Sequence, residues 1–190
     1  MRENLFENKE FANIDYSGQK LSDSEYDSCV FLNCDFSNGN LSDNDFINSR
    51  FVACNFTLVK LTSSGLKDVQ FVDCKLVGVN FEHCADFLFE VSFQNCIIDF
   101  SSFFCKKLKK TTFINCSLKE VDFSSADLSG AEFNQCDLSM AVFSQSNLEK
   151  TDFRTAMNYT IDPEANRIRK AKFSYPGIAG LLGKYNIDID

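Results

Sequence analysis

Phe, Leu or Tyr stands at every fifth position from Phe6 to Phe81, sixteen positions without a break. After a two-residue slip the spacing resumes, and fourteen positions from Leu88 to Phe153 carry Phe, Leu or Ile. A period of five matches neither the 3.6 of an amphipathic helix nor the 2 of a half-buried strand. Self-similarity of this kind belongs to repeat architectures, in which each unit buries its apolar side only against its neighbours. The 190 residues are therefore expected to form one solenoid with a continuous core.

The unit reads small residue, polar residue, Phe or Leu, polar residue, variable residue. Clean copies are Ala126-Asp127-Leu128-Ser129-Gly130 and Cys136-Asp137-Leu138-Ser139-Met140. Seven of the nine cysteines, Cys29, Cys34, Cys54, Cys74, Cys96, Cys116 and Cys136, lie two residues before a repeat centre. Ala126, Ala131, Ser24, Ser64 and Ser101 share that slot, which points to small buried thiols in a reducing compartment. Structural zinc is the rival reading, but there is no CxxC pair and His83 is the sole histidine, so no metal or cofactor is expected. No apolar run reaches the length of a membrane span or a signal peptide; a cytoplasmic location is the default.

This pattern resembles the pentapeptide-repeat family over about residues 4 to 154. The resemblance implies an all-β fold, a right-handed quadrilateral β-helix with one pentapeptide per side and twenty residues per turn. An all-Phe series supports that turn: Phe11, Phe31, Phe51, Phe71, Phe93, Phe113, Phe133 and Phe153 recur at twenty, with the slip between 71 and 93. These rings are the expected structural core. The repeat domain is assigned to 1–154 and a C-terminal cap and dimerisation segment to 155–190.

The spacing of seven between Phe81 and Leu88 places a small bulge at 82–87. Glu82, His83, Phe87 and Phe89 are candidate partner contacts there. Extra aromatics at Phe87, Phe89, Phe100 and Phe104 either share a surface patch or are covered by the bulge. Asp86 and Lys106 occupy the usually small slot in successive coils, where they either pair or sit in a widened, exposed coil.

Beyond Phe153, Pro176 suits the first turn of a short helix to about Lys184, and Ile187 to Asp190 alternate as a short strand. The Asp162-Pro163-Glu164 turn with Asn166 and Ile168, Ala171-Lys172-Phe173, Leu181-Leu182 and Ile187/Ile189 resemble the tail of the quinolone-resistance (Qnr-type) and microcin-immunity branch. That resemblance implies a two-fold homodimer through Ile178, Leu181, Leu182, Ile187 and Ile189. An intramolecular cap on a monomer is the alternative.

Formal charge is −8. Glu120, Asp122, Asp127, Glu132, Asp137, Glu149 and Asp152, fixed to rigid coils, are expected to present negative charge at regular intervals. The resemblance implies a rod that imitates duplex DNA and engages DNA gyrase or topoisomerase IV at the DNA-binding surface, through complementary potential. The alternative is an interaction or toxin-immunity solenoid with another target. Lys106, Lys107, Lys109 and Lys110 weaken the mimicry in the middle of the chain. Direct nucleic-acid binding is disfavoured by like charge. No motif assembles a nucleophile, base and orienting acid, so an enzyme is not expected.

Overall fold

A computed structural model describes residues 4–21, 23–185 and 187–188. The chain winds as a four-sided parallel β-helix, the class expected from the repeat. One side carries a four-stranded sheet (Asn4–Glu7, Ser24–Asp27, Asp45–Ile47, Gly65–Lys67). The next carries a seven-stranded sheet running from Glu10–Ala12 to Glu132–Asn134. Isolated parallel bridges such as Asp35↔Asn55 and Lys107↔Asp127 continue the ladders elsewhere. We number the sides in chain order by their first centres: Phe6, Tyr16 and Leu21 begin sides one, three and four, and Phe11 begins side two.

Two residues of each unit point inward, the centre and the residue two before it. The Phe11 series pairs in register, Phe31 on Phe51, Phe51 on Phe71, and Phe71 on Phe93. Its rings stack nearly parallel at 4.6 to 5.4 Å between centroids and meet the adjoining columns edge-on, as Phe113 meets Phe123 at 81°. Both arrangements suit the aromatic quadrupole. Phe31 to Phe153 of the series are fully buried, whereas Phe11, near the first coil, is half-buried.

The corners explain the otherwise variable fifth position. The residue two after nearly every centre lies in the left-handed region, from Asn8 at φ 53° to Lys170 at φ 60°. Asn and Gly tolerate that conformation best, and Asn8, Asn13, Gly18, Asn33, Asn38, Asn48, Gly78 and Asn95 occupy it. Leu58 and Phe100 hold it against their β-carbons.

Two boundaries differ from expectation. The inserted residues fall at 86–90, not 82–87. The Ala85 amide still donates to Ser64 one coil above, while Val91 pairs with Val69, now twenty-two residues apart. Leu88, expected as a core centre, is 64% exposed at φ 56°, because a chain leaving the wall there cannot aim its side chain inward. At the other end, stacking continues past residue 154. Phe173 lies on Phe153 at 5.4 Å, and bridges join Asn147 to Arg167 and Asp152 to Lys172.

The terminal segment forms two short 3-10 helices, Pro176–Leu181 and Gly183–Tyr185, in place of one helix to Lys184. Gly177 and Gly180 sit directly on Tyr159, where a β-carbon would overlap its hydroxyl and its carbonyl oxygen. Glycines chosen for that approach weaken an α-helix. Ile187 and Asp188 are in no strand, and Ile189 and Asp190 lie outside the described residues.

Candidate interaction surface

The inward small slot has a hydrogen-bonding duty that the repeat alone did not reveal. Ser49 and Ser64 donate to the carbonyl oxygens of Tyr26 and Leu41 at 3.0 and 2.7 Å, twenty-three residues back. Cys54, Cys74 and Cys136 do the same with their thiols at 3.3 to 3.5 Å. The Ser101 hydroxyl accepts from the Val79 amide at 2.9 Å and donates to Leu76 at 2.7 Å, tying two coils together. The preference for Cys and Ser over bulkier residues therefore also satisfies buried backbone groups. Burial pushes the Cys84 thiol up to about 12. Hydrogen bonding to neighbouring thiols, then burial, raises Cys54 and Cys136 as well. Protonated, enclosed thiols of this kind are inert structural groups.

Several outward carboxylates are fixed by the backbone. Asp15, Asp35, Asp122, Asp127, Asp137 and Asp152 each accept a hydrogen bond from the backbone amide two residues on, at 2.8 to 3.1 Å. Each such turn fixes the carboxylate relative to its coil. Hydrogen bonds from Ser17 and Ser37 hold Asp15 and Asp35 below the usual carboxylate range. The Arg154 guanidinium holds Asp152 at about 2.

The seven expected acidic residues are not gathered on one side. Asp127 and Glu149 lie on side one, Glu132 and Asp152 on side two, Asp137 on side three, Asp122 on side four, and Glu120 at the corner between the last two. Positions five apart must fall on successive sides, so only pairs twenty apart align, as Glu132 and Asp152 do. Several are matched by cations: Asp127 by Lys109 at 3.3 Å, Asp137 by Lys119 at 3.4 Å, Glu149 by Arg167 at 2.9 Å, and Asp152 by Arg154 at 2.7 Å. Exposed pairs of this kind are weak and exchange readily with a partner's charges.

Around the inserted loop, Cys84 fills the inward slot expected for Asp86. Lys106 does lie inward and is 2% exposed. Its ammonium donates to the Cys84 carbonyl at 2.6 Å and to Asp86 at 2.7 Å, and lies 5.0 Å from the Phe89 ring centre. Asp86 itself is exposed, so the two pair across the wall rather than both facing inward or both facing solvent. Phe89 covers this site. Phe87, 72% exposed, stands off the wall near Lys67. Phe100 and Phe104 project from other parts of the rod, so the four aromatics make no single patch. Glu82 and His83 are exposed in the preceding turn, where the His83 carbonyl accepts from Ser63 at 2.8 Å.

At the rod end, Leu181 packs against the core and Leu182 is half-buried, so both serve the cap. Lys184 pairs with Asp162 at 2.8 Å and Glu164 at 2.6 Å, anchoring the cap to the Asp-Pro-Glu turn. Ile178 and Ile187 remain exposed, as do Tyr175 and Tyr185; Ile189 lies outside the described residues. Among the described residues, no group of three or more His, Cys, Asp or Glu could hold a metal ion, and no helix is long and apolar enough to cross a membrane.

Comparison with curated proteins returns no match. Among solved structures, full-length QnrB1, a plasmid-mediated fluoroquinolone resistance protein, is similar with a TM-score of 0.51 at 17% identity, over 94% of this chain and 100% of that one. HetL, a pentapeptide repeat protein involved in heterocyst differentiation regulation from the cyanobacterium Nostoc sp. strain PCC 7120, is similar with a TM-score of 0.55 at 14% identity, over 90% and 88%. Likeness at such identities concerns the fold alone. Family models are more specific: residues 24–103 match the pentapeptide repeat region and residues 107–139 the pentapeptide repeats. Together these matches span more than half of the chain, and the coils they cover have the expected four-sided form: the chain belongs to the pentapeptide-repeat proteins.

Proposed function

We propose that this protein is a non-catalytic DNA mimic that binds a type II topoisomerase, DNA gyrase or topoisomerase IV, at its DNA-binding surface. The observation that carries the reading is the set of amide-bound aspartates. They are carboxylates fixed to a rod with coil-to-coil steps of about 4.8 Å, and the exposed ion pairs that Asp127, Asp137 and Asp152 make exchange readily with a partner's charges. A topoisomerase surface built for phosphates meets such charge without any cost of ordering it. The fold shared with QnrB1, a fluoroquinolone resistance protein, supports this reading. Eight buried thiols suit a reducing cytoplasm.

A second reading, an interaction or immunity solenoid with another target, is favoured by the scatter of the acids over all four sides and by the lysines at 106–110. DNA supercoiling by gyrase, titrated with protein with and without a fluoroquinolone, separates the two. The first reading expects inhibition at high dose or relief of drug inhibition, and direct binding to gyrase. No effect and no binding would overturn it.

The exposed apolar residues of the terminal segment, Tyr175, Ile178, Tyr185 and Ile187, are those through which two rods would join end to end. Ile178→Asp is expected to give a folded monomer in sedimentation at high salt. A dimer that persists unchanged refutes that contact.

A further inference from the structure

Side one of the rod carries its charge unevenly. The fifth coil, opened by the 86–90 loop, brings Asp86 and Glu90 to it, and beyond that coil cations prevail. Lys107, Lys109 and Lys110 lie on the sixth coil, Lys150 on the eighth, and Arg167, Arg169 and Lys170 on the ninth, against Asp127 on the seventh and Glu149 on the eighth. Parallel bridges hold Lys107, Asp127, Asn147 and Arg167 in one column. Lys110, Gly130, Lys150 and Lys170 form a second at the corner, at φ 58° to 71°. Both carboxylates are already used within the chain, Asp127 by Lys109 and Glu149 by Arg167. Lys107, Lys110, Lys150, Arg169 and Lys170 are exposed and have no ion-pair partner among the described residues. The Lys110 stem runs over Gly130, whose missing β-carbon would stand 3.6 Å from its Cγ, so this side chain is directed along the rod toward Lys150. Lys150, Arg169 and Lys170, with Glu149, line a recess of about 190 Å³.

We propose that side one of coils six to nine is a binding face for the phosphate backbone of duplex nucleic acid. Three steps of about 4.8 Å make it about 14 Å long. A duplex offers one phosphate charge per about 1.7 Å of its axis, so about eight lie within that length and a flat face reaches about half of them. The unpaired cations match that number, and the recess receives one phosphate. Apart from the cations and the two carboxylates, the outward positions here are Ser129, Gly130 and Asn147. The face thus offers no aromatic ring for the base stacking that holds single strands, and no apolar side chain to enter a lipid surface. Contacts confined to phosphates carry no sequence information, so binding is non-specific. On the adjoining side two, Glu132 and Asp152 are balanced by Arg154 and Lys172, both of which pair with Asp152. On side four, Lys184 holds Asp162 and Glu164, which leaves Asp122. The formal charge of −8 opposes nucleic acid for the chain as a whole, but residues 1–50, with ten acids and four cations, lie three or more coils away. That distance exceeds the Debye length of about 10 Å at about 0.1 M salt.

This inference does not rest on a topoisomerase target, and its test contains no topoisomerase, so either can fail without the other. The experiment is fluorescence anisotropy of a labelled DNA duplex of about 20 base pairs, titrated with the full chain. The expected dissociation constant is on the order of 10 µM at about 50 mM salt and rises at least about a hundredfold by about 200 mM, with a log–log slope of about −4. Lys110→Gln/Lys150→Gln/Lys170→Gln is expected to weaken binding at least about tenfold at low salt and to flatten the slope by about 2 to 3. Lys20→Gln/Lys60→Gln/Lys75→Gln makes the same change in net charge on sides three and four, and is expected to alter affinity by less than about threefold. All six sites are exposed, so the coil is kept in both variants, as circular dichroism checks. No binding of the duplex at low salt overturns the proposal. So does a corner variant that binds as its parent does, or a control variant that loses as much, since total charge alone would then be read. Tighter binding to the single strand, to polyglutamate of equal charge or to vesicles containing phosphatidylserine assigns the face elsewhere and overturns the duplex.

Discussion

Truncating Phe113 or Phe133 to alanine is expected to lower the free energy of unfolding by about 3–5 kcal/mol, read as a shift in the urea midpoint. Phe113 is stacked between Phe93 and Phe133 at 5.2 and 4.9 Å and met edge-on by Phe103 and Phe123. Both target residues are at most 1% exposed. The site cannot collapse after truncation, because ladder hydrogen bonds to the coils above and below hold the wall in place, so the cavity persists. Phe11→Ala provides an internal control. That ring belongs to the same column but is half-buried near the first coil, and its loss should cost clearly less. Wild-type midpoints for both interior variants would refute a filled column.

The second large effect concerns the only lysine drawn inside the described wall. Asp86→Ala leaves the Lys106 ammonium with the Cys84 carbonyl and the Phe89 ring as its remaining contacts, in a residue 2% exposed. Breaking a fully buried pair by removing one member costs about 3–5 kcal/mol. Asp86 is 75% exposed in its side chain, so water takes over part of its role, and about 2 kcal/mol is expected. Lys106→Met keeps the stem that fills the space and removes the charge. It leaves the Cys84 carbonyl without that donor and is expected to cost only about 1 kcal/mol. The ordering is the test: if Lys106→Met proves the more damaging change in denaturant, the ammonium is a net stabiliser and the argument fails.

The fold was legible because its signal is repeated in nearly every unit. A large centre and a small residue two before it are both required by the space inside the coil, and Phe31 to Phe153 stack as the spacing of twenty implies. The inserted residues were harder to place because Leu88 satisfied the same spacing as a true centre. Only the ladder distinguishes them, since Ala85 keeps the old register and Val91 takes the new one. Cys84, already at the proper distance from Phe81, was the sequence clue that the wall runs on to residue 85. The cap misled for a related reason: Pro176 signals a helix start, but Gly177 and Gly180 are committed to contact with Tyr159, which a spacing argument cannot see. For the surface, the spacing named seven acids but could not show how they are distributed around the rod. Regular spacing along a chain becomes dispersion around a four-sided coil unless the interval is twenty. The same rule, applied to cations as well as acids, would have picked out Lys110, Lys150 and Lys170 at one corner.

The insertion at 86–90 has a wider consequence. Phe71 still lies on Phe93 at 5.3 Å, as if the two extra residues were absent, because each coil answers only to the one before and the one after. An error in counting is thus discharged at a single bend and is not inherited by the hundred residues that follow. A scaffold with that property can lengthen a bend and try a new outer contour while its interior stays as it was. Variation at its bends should be far more freely accepted than variation in its walls.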